Sequence, residues 1–330
     1  MLTLLLSYDD VFSVLSMEDM IGAVEEGYIS YNRGKVAQPD VGSIEEEHNN
    51  GETDIKSCYN EENETVSVKI ASGFWDNPQN YHISTMQGTI VMIDGRNGLP
   101  ICVMDGSLIT NYRTGAAGAI SCKYLARKDS ETVAVIGAGG QARMQIYALN
   151  EVLPIKKVRV FSPVEAELQR YKDDVEKNTN LEVILCSTAS EAMEGADIAI
   201  STTPAKEFWV KKEDVKKGMH IVAVGADMAG KNEWDPEIFK DAKVVVDSVI
   251  QCVSRGETRN AIVNGIIKEE EIHGEIGEII EGQKNGRSND DEITIFDTTG
   301  MGVQDNVAAV SIYSLARKNG IGEYFDFKSK

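Results

Sequence analysis

Gly137, Gly139 and Ala142 stand at Gly-x-Gly-x-x-Ala spacing directly behind the apolar run Thr132–Ile136 and at the head of a helical segment. Each position has a physical job in holding a pyrophosphate. The first glycine permits a tight turn, the second lets the backbone approach the phosphates, and the small third residue lets helix and strand pack closely. The amides at the helix N-terminus then face the anion. A strand before, a helix after and the further strand KVRVF about 20 residues on make a βαβ unit rather than an ordinary glycine-rich turn. The end of that further strand reads FSPVEAE. Ser162 is neither the acid that would bind the ribose hydroxyls of NAD nor the arginine that would accept the phosphate of NADP. Glu165 comes late, and Arg143 lies on the other side of the turn. NAD and NADP both stay open, with NAD favoured.

Three further side chains could do chemistry. Lys69, in the alternating stretch TVSVKIASGF, stands on the face opposite Val66, Val68 and Ile70, so it is directed either at solvent or into a cleft. Arg113 heads a run of small residues in a very acidic chain, where an anionic substrate needs a local cation. A guanidinium grips a carboxylate bidentately, although a structural ion pair is the other reading. Asp227 follows HIVAV, at the carboxyl end of a predicted parallel strand, where open α/β sheets place their ligands. Its other reading is a turn cap.

The elements that must position these groups fall into two blocks. Residues 1–35 read as a short strand followed by helix, with Ser16 and Asp19 in a capping arrangement. From Val36 to about Leu108 short alternating segments predict a β-rich region with one covered face, including two strands joined by a turn at Gly95–Gly98. The run Arg113–Arg127 predicts a tightly packed helix. Beyond it, strands at Val133–Ile136, Val158–Phe161, Glu182–Leu185, Ile198–Ser201, His220–Val224 and Val244–Asp247 alternate with helices, the pattern of a doubly wound parallel sheet. Residues 266–285 predict an acidic helix with a solvated face, and Glu45, Glu46 and Glu47 a solvated loop. A last helix ends at Gly320. The expected fold is therefore α/β, a Rossmann-type sheet at 116–307 plus a β-rich α+β substrate-binding and dimerisation domain at 1–115 and 308–330.

Composition narrows the function. The 330 residues carry 53 acids against 33 bases, a net charge of −20 that repels nucleic acid and anionic lipid. The run LTLLL is too short for a signal sequence or a span, which leaves the cytoplasm as the expected location. Five widely spaced cysteines without Cys-x-x-Cys read as reduced core thiols, and the four histidines show no metal spacing, so no metal is expected.

The stretches MDGSLITNYRTGAAGAISCKYLAR, VIGAGGQA, GMHIVAVGADMAGKNE, VVVDS and TIFDTTGMGVQD, in that order and at intact spacing, resemble the ornithine cyclodeaminase and mu-crystallin family from about Val66 onward. KIASGFWDNP is similar to a branch that includes imine reductases. The resemblance implies a homodimer built on the N-terminal domain and hydride transfer at the α-carbon of an amino or imino acid. Cyclodeamination such as ornithine to proline and ammonia is the leading expectation; an alanine dehydrogenase-like enzyme, an imine reductase or a non-catalytic ligand-binding protein are the alternatives. It implies that Asp227 and Lys69 are catalytic and that Lys69, Arg113, Lys56 and Thr85 hold substrate. It implies cofactor contacts from Arg113, Thr114, Gly137, Ala138, Gly139, Gly140, Gln141, Ala142, Ser162, Ser201, Thr202, Thr203, Val224, Gly225, Asp227, Lys231 and Gly300. One departure stands out. Many members carry an arginine just after the proline of QPD, where this chain has Asp40, so the carboxylate clamp is either incomplete or completed by Lys56.

Overall fold

Strands buried on both faces need cover on both, and the apolar runs after Thr132 meet that demand by lining up in parallel. The computed structural model describes residues 2–327. It divides into two compact units, Met1–Arg113 with Met301–Lys330 and Thr114–Gly300. The first division falls inside the helix Ser107–Leu125. The second precedes the helix Gly302–Asn319, so the expected boundary at residue 308 lies within a single helix.

In the unit Thr114–Gly300 eight strands form one sheet in the order Glu182–Leu185, Lys157–Phe161, Thr132–Ile136, Ile198–Ser201, His220–Ala223, Ile293–Asp297, Ala242–Val246 and Gly274–Glu275. Every pairing in it is parallel. Strand order reverses at Thr132–Ile136, which sends Lys157–Phe161 to one side and Ile198–Ser201 to the other. Such a reversal opens a crevice at the carboxyl ends of the strands. This is the Rossmann-type doubly wound sheet. Ile136, Ala199, Ile221, Val246 and Ile295 fill its core with Trp234 and Phe239. The small-residue helix packs as its composition predicts: a Cβ at Gly115 would lie 2.6 Å from the backbone oxygen of Met144 in the helix Gly140–Val152.

The other unit holds an eight-stranded mixed sheet in the order Glu323–Phe325, Thr3–Leu6, Pro100–Asp105, Met86–Asp94, Thr65–Phe74, Gly51–Asn60 and Val36–Ala37, with Gly42–Glu46 also paired to Gly51–Asn60. Only Thr3–Leu6 against Pro100–Asp105 runs parallel. The helix Gly302–Asn319 lies on Gly51–Asn60 and Thr65–Phe74 and packs against the helix Met17–Asn32. Ser16 caps the latter through the Asp19 amide, and Gly320, with φ +66, ends the former in the left-handed region.

Three expectations need correction. The covered face of Thr65–Phe74 is the polar one: Thr65, Ser67 and Lys69 are buried, whereas Val66 and Val68 are half-buried and Ile70 is 41% exposed. The helix Gly302–Asn319 brings its own polar residues to that face, so the buried side of the strand had to be polar. Residues 266–285 do not form one helix. Glu269–Glu271 is a 3-10 turn, Gly274–Glu275 extends the parallel sheet, and a helix covers only Ile276–Ile280 before Gly282 at φ +72. Pairing of the chain with Val245 and Val246 outcompeted the helical period. Glu45 and Glu46 lie in the strand Gly42–Glu46 rather than in a loop, because a turn at Glu47–Asn50 folds that segment onto Gly51–Asn60. All five cysteines are buried and free, and no helix among the described residues is long and apolar enough to cross a membrane.

Gly115→Ala tests the close helix contact. Its methyl group would overpack against the Met144 carbonyl, and unfolding in urea should show a loss of about 1–3 kcal/mol with the slope unchanged.

Candidate functional site

The glycine turn has the form its spacing predicts. Gly137 adopts φ +107, and its amide donates to the Phe161 carbonyl at 2.8 Å. A Cβ there would stand 2.8 Å from Thr202 Oγ1 and 3.1 Å from Thr203 Cγ2, so the turn is closed against the end of the neighbouring strand. Ahead of the helix Gly140–Val152, Gly139 is an N-cap without a side-chain hydrogen bond. A Cβ at Gly139 or Gly140 would meet nothing within 4 Å. Ala142 is fully buried behind them. The result is an open cradle at a helix N-terminus, the geometry that suits a phosphate. Thr202 Oγ1, buried and without a hydrogen-bond partner, faces the same turn. These residues fit a dinucleotide.

Arg143 does not offer a free guanidinium. It donates to Asp174 at 2.8 Å and to the carbonyls of Ala138 and Gly139 at 2.8 and 3.0 Å, and so braces the turn. Beyond Phe161 opens a cavity of about 530 Å³ lined by Ser162, Pro163, Glu165, Gln169 and Leu185 among others, with Glu165 its one charged side chain. The Ser162 hydroxyl accepts from the Val164 amide at 3.2 Å.

The loops at the carboxyl edge of the sheet are held by buried acids. Glu233 accepts from Ser201 Oγ at 2.7 Å, from the Thr203 amide at 2.5 Å and from the Gly225 amide at 2.9 Å. Burial pushes its carboxyl up to about 7 against those hydrogen bonds. Asp247 accepts from Thr298 Oγ1 at 2.7 Å and from the amides of Thr299 and Gly300 at 3.1 and 2.9 Å. Burial likewise raises Asp297 to about 7 and raises Glu257 well above the ordinary range. The Val224 amide donates to the Ser201 carbonyl at 3.1 Å, and the Thr114 carbonyl accepts from Gln145 at 2.8 Å. Asp227 is exposed and paired at 2.5 Å with Lys231, four residues on.

In the other unit three expected residues come together. Lys69 and Lys56 are register partners on adjacent strands, on the face under the helix Gly302–Asn319. Like charges directly opposed repel. Asp305 of that helix supplies the counter-charge: it accepts from Lys69 Nζ at 2.8 Å and from Arg113 Nε at 3.1 Å. Gln304 Oε1 accepts from Arg113 at 3.1 Å, and Thr110 Oγ1 lies 3.3 Å from Lys69 Nζ. Burial lowers Lys69 to about 7, opposed by the Asp305 charge. Burial alone would raise the Asp305 carboxyl, but Lys69 and Arg113 outweigh it and hold it below the ordinary range. Thr85 is not brought to this cluster. It precedes the strand Met86–Asp94, whereas Lys69 pairs with Ile90, about 16 Å further along the strand.

Glu233, Asp247, Asp305, Gln304 and Thr110 escaped the sequence reading. One signal was available: Asp305, Ala309, Ile312 and Ala316 share a stripe at helical spacing, and a lone acid in an apolar stripe is buried and needs partners. For Glu233, three residues upstream of Pro236, no periodicity announced the burial.

Comparison with known proteins agrees with this architecture. The chain is 36% identical to an alanine dehydrogenase of Archaeoglobus fulgidus over 325 residues, 98% of each chain. A solved archaeal alanine dehydrogenase dimer with bound NAD superposes with a TM-score of 0.94 at 36% identity, covering 99% of this chain and 100% of that one. A Thermococcus litoralis Δ1-pyrroline-2-carboxylate reductase in complex with NADH and L-proline gives 0.93 at 34% identity, covering 97% and 99%. The model of the ornithine cyclodeaminase/mu-crystallin family matches residues 1–320, so its match begins well upstream of Val66, and the chain belongs to that family.

Proposed function

We propose that this chain is an NAD-dependent oxidoreductase that interconverts a small α-amino acid and its imine, acting as an imine reductase or amino-acid dehydrogenase rather than as a cyclodeaminase. The observation that carries this reading is the buried cluster in which Lys69 and Arg113 share the single carboxylate of Asp305, with Lys56 on the same face. Two buried cations brought to one carboxylate inside a chain of charge −20 suit a carboxylate ligand. Asp305 is already engaged by both cations and so is not free for the distal ammonium of a basic amino acid. Cyclodeamination needs that second amine. The names of the similar dehydrogenase and imine reductase point the same way.

The cradle at Gly137–Ala142 would hold the pyrophosphate, and the cavity beside Glu165 the adenosine. With Glu165 in that cavity and Arg143 committed to Asp174, a ribose 2′-phosphate would meet negative charge, which favours NAD over NADP. When bound, the nicotinamide supplies or accepts a hydride. Arg113, Lys69 and Lys56 hold the substrate carboxylate, and charge-assisted bonds of this kind contribute about 1.5–3 kcal/mol each. Asp227 moves the proton at the substrate nitrogen, with Lys231 beside it setting its orientation. Ile55 and Ile70, register partners 36% and 41% exposed on the outer face of the mixed sheet, with Val66 and Val68 beside them, form the apolar surface of a homodimer in this proposal.

Incubating the protein with NADH and small cyclic or open-chain α-imino acids should consume NADH in proportion to product, at least tenfold faster than NADPH, with no ammonia released from ornithine. Ammonia from ornithine without net change in nicotinamide absorbance would establish the cyclodeaminase instead. Asp227→Ala should retain NADH affinity and lose 10² to 10⁴ in kcat, the usual share of a general acid–base, in stopped-flow assays. Unaltered turnover would remove Asp227 from the mechanism. Burial brings Lys69, which lies beside Arg113, Lys56 and Asp305, down to about 7, so its ammonium is present below that pH and lost above it. The inhibition constant of propionate, ionised throughout, should therefore rise as pH climbs from 7 to 9, and Lys69→Met should abolish that slope.

A further inference from the structure

Ser201–Thr203 and Val224–Gly225, which the family resemblance sets against the nicotinamide end of the dinucleotide, stand at the ends of two adjacent parallel strands, Ile198–Ser201 and His220–Ala223. Loops of this kind have amides that the sheet itself leaves unpaired. Here one side chain takes up amides from both. Glu233 is fully buried; Oε1 accepts from the Thr203 amide at 2.5 Å, and Oε2 accepts from Ser201 Oγ at 2.7 Å and the Gly225 amide at 2.9 Å. The direction of the hydroxyl bond is fixed by its other partner. Trp234 Nε1 can only donate, and it donates to Ser201 Oγ at 2.6 Å, which leaves the hydroxyl proton for Glu233. The acid is anchored in turn, because its own amide donates to Glu257 Oε1 at 2.5 Å. A Cβ on Gly225 would lie 2.4 Å from both Glu233 Oε2 and the Thr203 carbonyl, so the two loops and the carboxyl are in direct contact.

We infer that Glu233 is a positioning residue that fixes the two strand-end loops in the form that receives the nicotinamide end of the cofactor, without touching the cofactor itself. The inference rests on the dinucleotide reading given above. All three partners of the carboxyl are donors, and both of its oxygens accept. A glutamine of the same shape would turn an NH₂ group against either the Thr203 amide or the Gly225 amide, and one loop would have to move away. None of these bonds involves Gly139 or Gly140 or the cavity beside Glu165, so the adenosine and pyrophosphate end of the ligand is independent of the clamp.

Titration calorimetry with NADH and with ADP, which lacks the nicotinamide and its ribose, separates the two ends. In Glu233→Gln the dissociation constant for NADH should rise about tenfold or more, as expected for a buried donor left unsatisfied, while that for ADP stays within about twofold of the parent protein. Glu233→Asp keeps the charge but draws the carboxyl back from the Thr203 and Gly225 amides and should give the same selective loss; it decides the matter if Glu233→Gln does not fold. Unchanged NADH affinity in the folded variants, or equal losses for NADH and ADP, would overturn the inference. A parent protein that binds neither NADH nor ADP would instead overturn the dinucleotide reading, and the positioning role with it.

Discussion

Backbone amides at the carboxyl edge of a parallel sheet must find acceptors once the ladder ends, and in this chain buried carboxylates provide them. Asp247 gathers the amides of Thr299 and Gly300, and Glu233 those of Thr203 and Gly225. The donors that hold them to these loops are amides and hydroxyls rather than lysine or arginine. An acid buried among amides and hydroxyls keeps its acceptors aimed at fixed donors, whereas a long cationic side chain would bring its own rotamer freedom. Burial raises Glu233 and Asp297 to about 7 and raises Glu257 as well, the electrostatic cost of that arrangement. The gain is a set of loops whose backbone is held in place before any ligand arrives, the condition under which binding geometry is most effective.

The unit Met1–Arg113 with Met301–Lys330 solves the opposite problem. Its buried cations would be intolerable without a counter-charge, and Asp305 meets two of them with one carboxylate. Removing that acid would leave Lys69 and Arg113 buried and unpaired, which is why Asp305 belongs to the cluster as fully as the residues it holds. Gln304 extends the same logic. Its oxygen accepts from Arg113 and its nitrogen donates to Tyr28, so the guanidinium is oriented from the helix rather than by solvent. In the proposed role of holding a substrate carboxylate, the cluster gains from meeting Lys69 and Arg113 with one shared acid rather than one each.

Much of this was legible in the sequence where the signal is local. The Gly-x-Gly-x-x-Ala turn, the strands Glu182–Leu185 and Ile198–Ser201 and the helix ending at Gly320 follow from spacing and propensity, and each appears where those place it. What could not be read depends on partners distant in sequence. Alternation in Thr65–Phe74 identified two faces correctly but not which one is covered, because the cover comes from a helix more than 200 residues later whose buried side is itself polar at Gln304, Asp305 and Asn306. The acidic stretch at 266–285 carried a helical period, yet Gly274 and Glu275 gained more from joining a sheet edge. Glu233 and Asp247 look like surface acids in sequence. Only the convergence of three loops makes them buried acceptors.

The glycines of the turn show how structural need can be separated from ligand need. Gly137 is required by the chain: its φ of +107 is unfavourable for other residues, and a Cβ would collide with Thr202. Gly139 and Gly140 have no such reason. Gly139 lies at φ −78, open to any residue, and at neither position would a Cβ touch another atom. An N-cap without a side chain also forgoes the stabilisation that serine or aspartate would give, and leaves the first amides of the helix without that acceptor. Glycine there costs stability and relieves no clash within the chain. The space it keeps clear, at a helix N-terminus beside an orphaned Thr202 hydroxyl, is explained by an anion that approaches the backbone more closely than a Cβ would allow.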